Sequence, residues 1–449
     1  MVKKTLLAVI CIVLCASKVM AGGYPGNVMP NEIQDDSKLQ ELEKMLKDQA
    51  KTIESLQNQV KNLQDEKDSH LHQLPPTASA AAAGEETWAD RIKWFGDFRL
   101  RHQIIDDDGA AGNTVRNRTR MRVRPGLTAK VNDDIDFIFR LTTGEPANSG
   151  NQTFDDYFDS KDIFIDLAYV HYHPEEILGN KVENDIIKEL HFFGGKMKNP
   201  FYRVGDNEIV FDKDVTPEGG AVKVQFQCPT DTLCMWLSAG GFVVEEDEDD
   251  ADASLWGVQG GFKSDLGKHE NLGEMKLVTG ISYYNYGSIK GRALPSGGAW
   301  GNTTKRAVPG GVVEEDVFAS DFDILEVFGE LEINPLDVPV LIYTMYVVNA
   351  ATDEDHQAWG AGATIGKTKK VGDWETGYFY RRVEADSVLG VFTDSDFVGG
   401  GSDGHGHRVH VGYKLAENVK TKATFFLARK IIEDSDDFWN MLFDVEFYW

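Results

Sequence analysis

The chain has 449 residues, with 44 glycines, 14 prolines and a formal net charge of -27. An acidic surface repels a phosphate backbone, so this charge argues against nucleic acid as a partner. Beyond residue 21 no apolar stretch approaches the ~20 residues that a membrane-spanning helix needs, and the sequence therefore excludes a helical membrane protein.

Residues 1–21 have the pattern of a secretory signal peptide. A basic start precedes an apolar run and a small-residue ending at Ala21. Once this segment is removed, the chain keeps two cysteines, Cys228 and Cys234, in an oxidising compartment. Either a disulfide or two free buried thiols fits their position around a predicted tight turn.

Residues 22–74 contain a heptad pattern of apolar residues, with Glu, Lys and Gln filling the other positions. The seam consists of Leu39, Leu42, Leu46, Ile53, Leu56, Val60 and Leu63. This spacing predicts a short α-helical coiled coil of about four heptads. The helix either self-associates, most simply as a trimer, or stays single and lies on the rest of the protein or grips the cell wall. Residues 75–87 are predicted to form a flexible linker.

Residues 88–449 are predicted to form β-strands, because apolar and polar residues alternate along them. In the segment 117–131, Met121 and Val123 lie on one face and four arginines on the other, and four arginines on one face cannot be core. Comparable runs begin near residues 94, 118, 134, 162, 190, 219, 232, 254, 273, 321, 339, 357, 373, 406, 419 and 439. The predicted fold class is all-β, a transmembrane antiparallel β-barrel of about 16 strands.

The connections between these strands alternate in length, as they do in outer-membrane barrels. Short connections are predicted at 131–134, 228–231, 334–337, 367–373 and 415–418. Long or acidic ones are predicted at 105–116, 143–161, 198–218, 245–253, 286–320, 383–405 and 431–438. Only 174–189 is long where a short turn is expected. An even strand count places both ends of the barrel, and hence the coiled coil, in the periplasm.

The last predicted strand, "FWNMLFDVEFYW", has one wholly apolar face. We expect Phe443, Val445 and Phe447 to face lipid, as we expect of Met121 and Val123. Trp449 is predicted to close the barrel against the first strand. Four residues of this strand are together similar to the C-terminal signal that the outer-membrane insertion machinery reads: Phe443, Val445, Phe447 and Trp449.

Five segments resemble the putative porin family of Gram-negative outer membranes that carry an N-terminal coiled coil, similar in architecture to the phosphate-selective porins. They are "WADRIKWFGDFRLRHQ" (88–103), "NRTRMRVRPGL" (117–127), "FGGKMKNPF" (193–201), "DKDVTPEGGAV" (212–222) and the closing "VEFYW". The resemblance implies passive diffusion of small hydrophilic solutes through a water-filled barrel. Outer-membrane lipid and lipopolysaccharide are then the expected surroundings, and a homo-oligomer, most simply a trimer, the expected assembly.

The polar strand faces are expected to line the pore. The basic residues are Arg99, Arg101, Arg118, Arg120, Arg122, Arg124, Arg408, Lys414, Lys420 and Lys422, and the acidic ones are Glu326, Glu330 and Glu332. The tenth strand lies eight strands from the second, and so opposite it in a barrel of about 16. One interpretation is a field across the lumen. The alternative is that these charges only solvate a wide lumen or pair with neighbouring strands.

The connection 196–219 contains aromatic and aliphatic residues that are unusual in a solvated loop. It is predicted to fold into the barrel as a constriction loop, the alternative being an outer loop packed on its neighbours. The charges that it would present to the pore are Lys196, Lys198, Arg203, Asp206, Asp212 and Asp214.

No other motif points to catalysis, a cofactor or a resident metal. Metal binding is the less favoured interpretation of three histidines, His405, His407 and His410, and of the acidic run 245–250. No nucleophile motif, phosphate loop or zinc signature occurs. Two alternatives to a channel are a structural tether that joins the outer membrane to the cell wall and an outer-membrane hydrolase.

Overall fold

A computed structural model describes residues 88–107, 115–144, 149–174, 186–228, 230, 232–248, 251–296, 298–307, 315–432 and 437–449. The predicted signal peptide, coiled-coil seam and linker lie outside these residues. In the described part, no helix is long and apolar enough to span a membrane.

Nineteen strands are described. In chain order they are β1 (Ile92–Asp107), β2 (Arg116–Lys130), β3 (Ile135–Thr143), β4 (Gln152–Thr153), β5 (Ile163–Tyr172), β6 (Ile187–Lys196), β7 (Glu218–Phe226), β8 (Leu233–Glu245), β9 (Ala253–His269), β10 (Gly273–Gly287), β11 (Thr304–Ala307), β12 (Glu315–Phe318), β13 (Phe322–Ile333), β14 (Val340–Asn349), β15 (Gln357–Gly366), β16 (Trp374–Val383), β17 (Gly404–Ala416), β18 (Val419–Lys430) and β19 (Asp437–Tyr448). Short 3-10 turns lie at Asp156–Phe158, Val204–Asp206, Pro335–Asp337 and Gly390–Phe392.

Sixteen of these strands form the wall of a closed antiparallel barrel. Each pairs with its neighbours in sequence, β1 pairs with β19, β4 adds a short pairing to β2, and β11 and β12 form a separate hairpin. Every barrel strand begins within three residues of its predicted start. The predicted barrel of 16 strands is therefore confirmed.

Side chains alternate between the outside and the inside of the wall. On β19, Phe443 and Phe447 are 45% and 40% exposed, whereas Asp444 between them is 6% exposed. On β2, Arg120 and Arg122 are buried and Met121 lies between them on the other face. Period-two alternation thus gives the barrel an apolar outer surface.

Barrel closure depends on a glycine at the seam. The backbones of Gly96 and Trp449 exchange two N–H···O bonds of 3.2 Å. A Cβ on Gly96 would lie 2.4 Å from the Trp449 ring, so only glycine leaves room for the indole there. Trp449 lies beside β1, where the sequence placed it.

The connections define two ends of the barrel. At the short-turn end, links such as 131–134, 270–272 and 417–418 have at most four residues. At the long-loop end, the connections include 197–217, 288–321 and 384–403. Two of these long connections, 197–217 (the first inner segment) and 384–403 (the second inner segment), turn into the barrel.

The hydrophobic core lies inside the barrel. Phe201, Ile209 and Phe211 of the first inner segment pack with wall residues that point inward, including Phe322 and Phe328 of β13. The inner face of β13 is therefore apolar at the long-loop end, whereas the sequence assigned only glutamates to it. This face is apolar because the first inner segment packs against it and fills space that would hold water in an open porin lumen.

Candidate pore and its inner segments

The first inner segment contacts opposite walls of the barrel. At one side the Tyr202 hydroxyl and the Gly205 N–H donate to the Glu330 carboxylate of β13, the latter at 3.0 Å. At the other side the Asp214 carboxylate lies 3.3 Å from Arg122 and 3.0 Å from Arg124. The strands β2 and β13 are eight places apart in the wall of sixteen. The segment therefore crosses the lumen.

Apolar contacts hold the middle of this segment in place. Phe201 packs edge-on against Tyr284 with ring centroids 5.0 Å apart, and Ile209 is fully buried. A Cβ on Gly257 would lie 2.3 Å from the Phe201 ring. Each large side chain buried in this way contributes about 2 kcal/mol. Swinging the segment out into solvent would forfeit several such contributions.

The basic wall, comprising Arg101, Arg122 and Arg124, is neutralised by carboxylates. Asp97 of β1 accepts from Arg122 at 2.8 Å and from Arg124 at 2.7 Å, and both arginines also reach Asp214. Arg101 is paired at 2.7 Å with Asp444 of β19 and at 2.7 Å with Asp396. Pairing, the alternative to a field across the lumen, therefore accounts for these three arginines.

The second inner segment was predicted only as an outer loop. Asp394 is paired with Arg381 of β16 at 2.8 Å, and Asp396 with Arg101. The Asn302 side chain donates to the carbonyls of Ala385 and Val388 at 2.7 and 2.8 Å. The run 387–392, which includes buried Val388 and Leu389, is the signal that sequence reasoning overlooked. It is the same apolar signal that predicted the first inner segment.

The two inner segments are joined to each other. The Asp212 N–H donates to the Phe392 carbonyl at 2.7 Å, and the Ser395 N–H donates to the Asp212 carboxylate at 3.1 Å. Glu208, Asp212 and Asp394 bring carboxylate oxygens within 4.8 Å of one another at this junction. Lys213 lies 2.9 Å from Glu208.

The pKa values of two acids at this junction, Asp212 and Glu208, shift in opposite directions because their surroundings differ. Burial and the nearby Glu208 charge raise the pKa of Asp212 to about 8. Burial also acts on Glu208, but the charges of Lys213, Arg408 and Arg203 outweigh it and lower the Glu208 pKa. At neutral pH, Asp212 is thus protonated beside an ionised glutamate.

The acidic wall, comprising Glu326, Glu330 and Glu332 of β13, is bound differently. Glu326 is buried and accepts from the Ser282 and Tyr284 hydroxyls at 2.7 and 3.4 Å. Glu332 is paired with Lys367 at 2.5 Å. Only neutral donors reach Glu326 and Glu330 among the described residues. The first inner segment therefore covers the middle of this wall.

The remaining predicted basic residues also lie inside. Arg99 donates to Asn151 at 2.6 Å, Arg118 to Gln103 at 2.7 Å, and Arg120 to the Asn151 carbonyl at 3.1 Å. Lys420 pairs with Glu375 at 2.9 Å. A cavity of about 530 Å³ near the short-turn end is lined by Arg99, Arg101, Arg203, Asp206, Arg408, Lys420 and Lys422, among others. Lys414 lies 5.7 Å from the Tyr448 ring.

Lys198 and Lys196 differ in their surroundings. Lys196 pairs with Glu218 at 2.7 Å. Lys198 is exposed and has no ion pair or hydrogen bond within the described part of the chain. Partial burial and the positive charges of Arg140 and Arg124 lower its pKa. Lys198 therefore presents a cationic group on the β2–β3 side of the lumen.

Two further cavities share lining residues that follow Lys198 in sequence. One, of about 680 Å³, opens toward the long-loop end and is lined by residues such as Arg124, Asp166 and Asn199. Another, of about 570 Å³, lies toward the short-turn end. Asn199 and Phe201 line both cavities.

Two other sequence features are placed by the structure. Cys228 and Cys234 form a disulfide in the turn between β7 and β8. His407 is exposed on the outer face and bonds the Tyr378 hydroxyl at 2.8 Å, whereas His410 is buried on the inner face. Because these two histidines lie on opposite faces of β17, they do not converge on a metal.

A family model described as "putative porin" matches residues 110–308 and 321–446. The chain belongs to this porin family. Comparison with curated protein sequences finds no match. The porin barrel indicates an outer-membrane location.

Solved structures with a similar barrel include three outer-membrane proteins. Pseudomonas putida OprB at high pH is 9% identical, with 80% of this chain and 94% of that chain covered and a TM-score of 0.48. Salmonella typhi OmpF in complex with daunomycin is 8% identical, with coverage of 81% and 100% and a TM-score of 0.45. A loop-deletion mutant of Vibrio cholerae OmpT is 14% identical, with coverage of 80% and 99% and a TM-score of 0.41.

Proposed function

We propose that this porin is a non-enzymatic diffusion channel for small hydrophilic solutes, narrowed by both inner segments. The observation that carries the proposal is the first inner segment, which crosses the lumen and yet leaves a cavity on either side of Asn199 and Phe201. The path for solutes runs along the β2–β6 side, between these two cavities. Lipid and lipopolysaccharide surround the barrel.

Lys198, next to Asn199, is a cation beside this path without an ion pair in the described part of the chain. The arginines of the basic wall are paired, so their fields are largely cancelled at the distance of a permeating ion. Lys198 has no partner among the described residues, and Arg124 and Arg140 add to its positive potential. We infer a weak preference for small anions, including carboxylates and phosphates.

Reversal potentials across a salt gradient in planar bilayers test this proposal. Lys198→Glu should move the permeability ratio toward cations by about fivefold or more, since a unit charge about 4 Å from an ion contributes about 1 kcal/mol even in water-like surroundings. Lys130→Glu is the matched control. Lys130 lies next to the 131–134 turn and pairs with Asp133, outside the path.

Three results would count against parts of this proposal. They are no conductance in the wild type, an unchanged ratio in Lys198→Glu, or the same shift in Lys130→Glu. In the first case a tether or a hydrolase would have to be reconsidered, whereas the other two would only remove Lys198 from the path.

We also infer that the protein assembles as a homo-oligomer, most simply a trimer, with the predicted coiled coil in the periplasm. The support is the heptad seam from Leu39 to Leu63. Cross-linking of the full chain in native membranes, compared with the seam variants Leu46→Glu and Ile53→Glu, tests it. Loss of cross-linked species in the seam variants is expected, and a monomer in the wild type would contradict the inference.

A further inference from the structure

Three histidines and an aspartate converge on the lumen wall at the short-turn end. Asp136 lies at the start of β3, His171 and His173 at the end of β5, and His191 on β6. Each side chain is half-buried. His171 and His191 line the cavity of about 570 Å³ together with Tyr202 and other residues. The first inner segment lines the same cavity, and the basic wall does not.

The side chains of this histidine cluster lie at ligand distances from one another. Nε2 of His171 is 3.0 Å from Nδ1 of His191, and Nε2 of His173 is 3.1 Å from a carboxylate oxygen of Asp136. Asp136, His171 and His173 each offer a ligand atom, all within 4.8 Å of one another. His171 belongs to both groups and is the centre of the cluster.

A separation of 3.0 Å between two imidazole nitrogens fits one shared metal ion. Adjacent nitrogen ligands at about 2.0–2.1 Å from a metal are themselves about 3 Å apart. In the absence of a metal, only one proton can lie between the two rings, and each ring nitrogen must adopt a complementary tautomer. An ion that accepts lone pairs from both rings removes this constraint.

The donor set selects the class of metal. Imidazole nitrogens suit zinc, copper, nickel and iron, whereas calcium and magnesium prefer oxygen ligands. A carboxylate that accepts from a histidine ring is a common partner of metal-bound histidine, because it fixes the ring and raises its basicity. Asp136 is placed to act in this way on His173.

Neighbouring charges have opposite signs. Glu189 lies 3.6 Å from Nε2 of His191. Lys223 is the register partner of His191 on β7, and Lys263 lines the same cavity. The lysines weaken binding of a dication and the two carboxylates strengthen it, so we expect micromolar rather than tighter affinity.

We propose that His171, His173, His191 and Asp136 form a binding site for a divalent transition-metal ion on the lumen wall near the short-turn end. An ion held there narrows the exit from the cavity. Occupancy therefore reduces the conductance of the channel. This last step rests on the proposed channel function, whereas metal binding itself does not.

Two measurements on the full-length protein test the two parts separately. Binding is measured by titrating Cu²⁺ into detergent-solubilised protein and recording electron paramagnetic resonance spectra. We expect one site whose spectrum shows at least two nitrogen ligands. Conductance is measured in planar bilayers with Zn²⁺ added on either side, and we expect a reversible decrease at micromolar Zn²⁺ that a chelator restores.

The variants are His171→Gln and the double change His171→Gln with His191→Gln. Glutamine keeps hydrogen-bonding capacity, and a far-ultraviolet circular dichroism spectrum equal to that of the wild type shows that a variant is folded. Both variants should weaken Cu²⁺ binding at least tenfold and abolish the effect of Zn²⁺. His269→Gln is the matched control, because His269 is exposed at the end of β9 and lies outside the cluster.

The outcomes separate the possible failures. No Cu²⁺ site with nitrogen ligands in the wild type, or equal binding in the double variant, overturns the metal site even if the glutamine variants are poorly folded. A site that binds Cu²⁺ while Zn²⁺ leaves conductance unchanged overturns only the effect on the pore. The absence of any conductance, with binding intact, removes the proposed function and leaves the metal site standing.

Discussion

The basic wall on β1 and β2 and the acidic wall on β13 face each other across the barrel, and they are stabilised in different ways. Arg101, Arg122 and Arg124 are each paired with two carboxylates. Glu326 and Glu330 instead accept from hydroxyl and backbone N–H donors. The first inner segment is therefore tied to one wall by ion pairs and to the other by hydrogen bonds from uncharged donors.

This difference predicts where the protein is sensitive to substitution. Removing one member of a buried ion pair leaves an uncompensated charge and costs several kcal/mol, whereas losing one neutral hydrogen bond costs about 1 kcal/mol. The basic wall should thus be the fragile attachment and the acidic wall the tolerant one.

The largest effect is expected for Asp214→Ala. Arg122 and Arg124 would then share only Asp97, and the first inner segment should lose about 3 kcal/mol of attachment. We expect higher single-channel conductance and a lower midpoint of urea-induced unfolding. The control is Asp206→Asn, because Asp206 lies in the same segment without an ion pair among the described residues, and asparagine tolerates its left-handed backbone. Equal changes in the two variants would refute the role of charge.

A pH effect should follow from Asp212. Its pKa is raised to about 8 from an ordinary value of 3.8, so the folded protein holds a proton that the unfolded chain has lost. Stability should therefore fall as pH rises from about 4 through 8, with a slope of at most about 1.4 kcal/mol per pH unit for one group.

Conductance and unfolding at pH 7 and pH 9 measure this loss. We expect the inner segments to loosen at pH 9 in the wild type and Asp212→Asn to remove the step. A wild-type protein that is more stable at pH 9 than at pH 7 would show that the sign is wrong.

A smaller effect is expected for Tyr202→Phe. The change removes the hydroxyl that donates to Glu330, while the Gly205 N–H still donates at 3.0 Å. The cost should be about 1 kcal/mol in urea-induced unfolding. Tyr413→Phe, at an exposed outward tyrosine, should be neutral. If Tyr202→Phe lowers the free energy of unfolding as much as Asp214→Ala does, the two walls do not differ in how they hold the segment.

The smallest effect is expected for Glu326→Gln. No cation lies within ion-pair distance of Glu326 in the described residues, and a glutamine oxygen still accepts from Ser282 and Tyr284. The free energy of unfolding should change by less than about 0.5 kcal/mol. Asp214→Asn makes the matching change in the residue that pairs with the basic wall, and it should be clearly destabilising. Similar results for both would show that formal charge is not what separates the walls.

The strands were predictable from sequence because their information is local. The polar neighbours of a residue such as Val123 predict which face of the strand it lies on. Each strand start follows from the pattern of about ten residues. The same reasoning placed Phe201 and Phe211 inside the barrel, because their apolar character conflicts with a solvated loop.

The ion pairs were not predictable in this way because they join residues far apart in sequence. Nothing near Arg101 indicates that Asp396 and Asp444, 295 and 343 residues later, will meet it. The histidine cluster was also missed, since His171 and His191 are brought together only by the pairing of β5 with β6. Sequence periodicity gives the face of a side chain but not its partner.

The pairing of Arg101 has a consequence for the order in which the barrel is assembled. Its two partners come from the second inner segment and from β19, which are among the last parts of the chain to be made. Until the final strand pairs with β1, the cation is without the Asp444 carboxylate. Closure of the barrel therefore completes the ion pairs of Arg101, one of which holds the second inner segment. A barrel that has not closed lacks part of the contacts that narrow its pore.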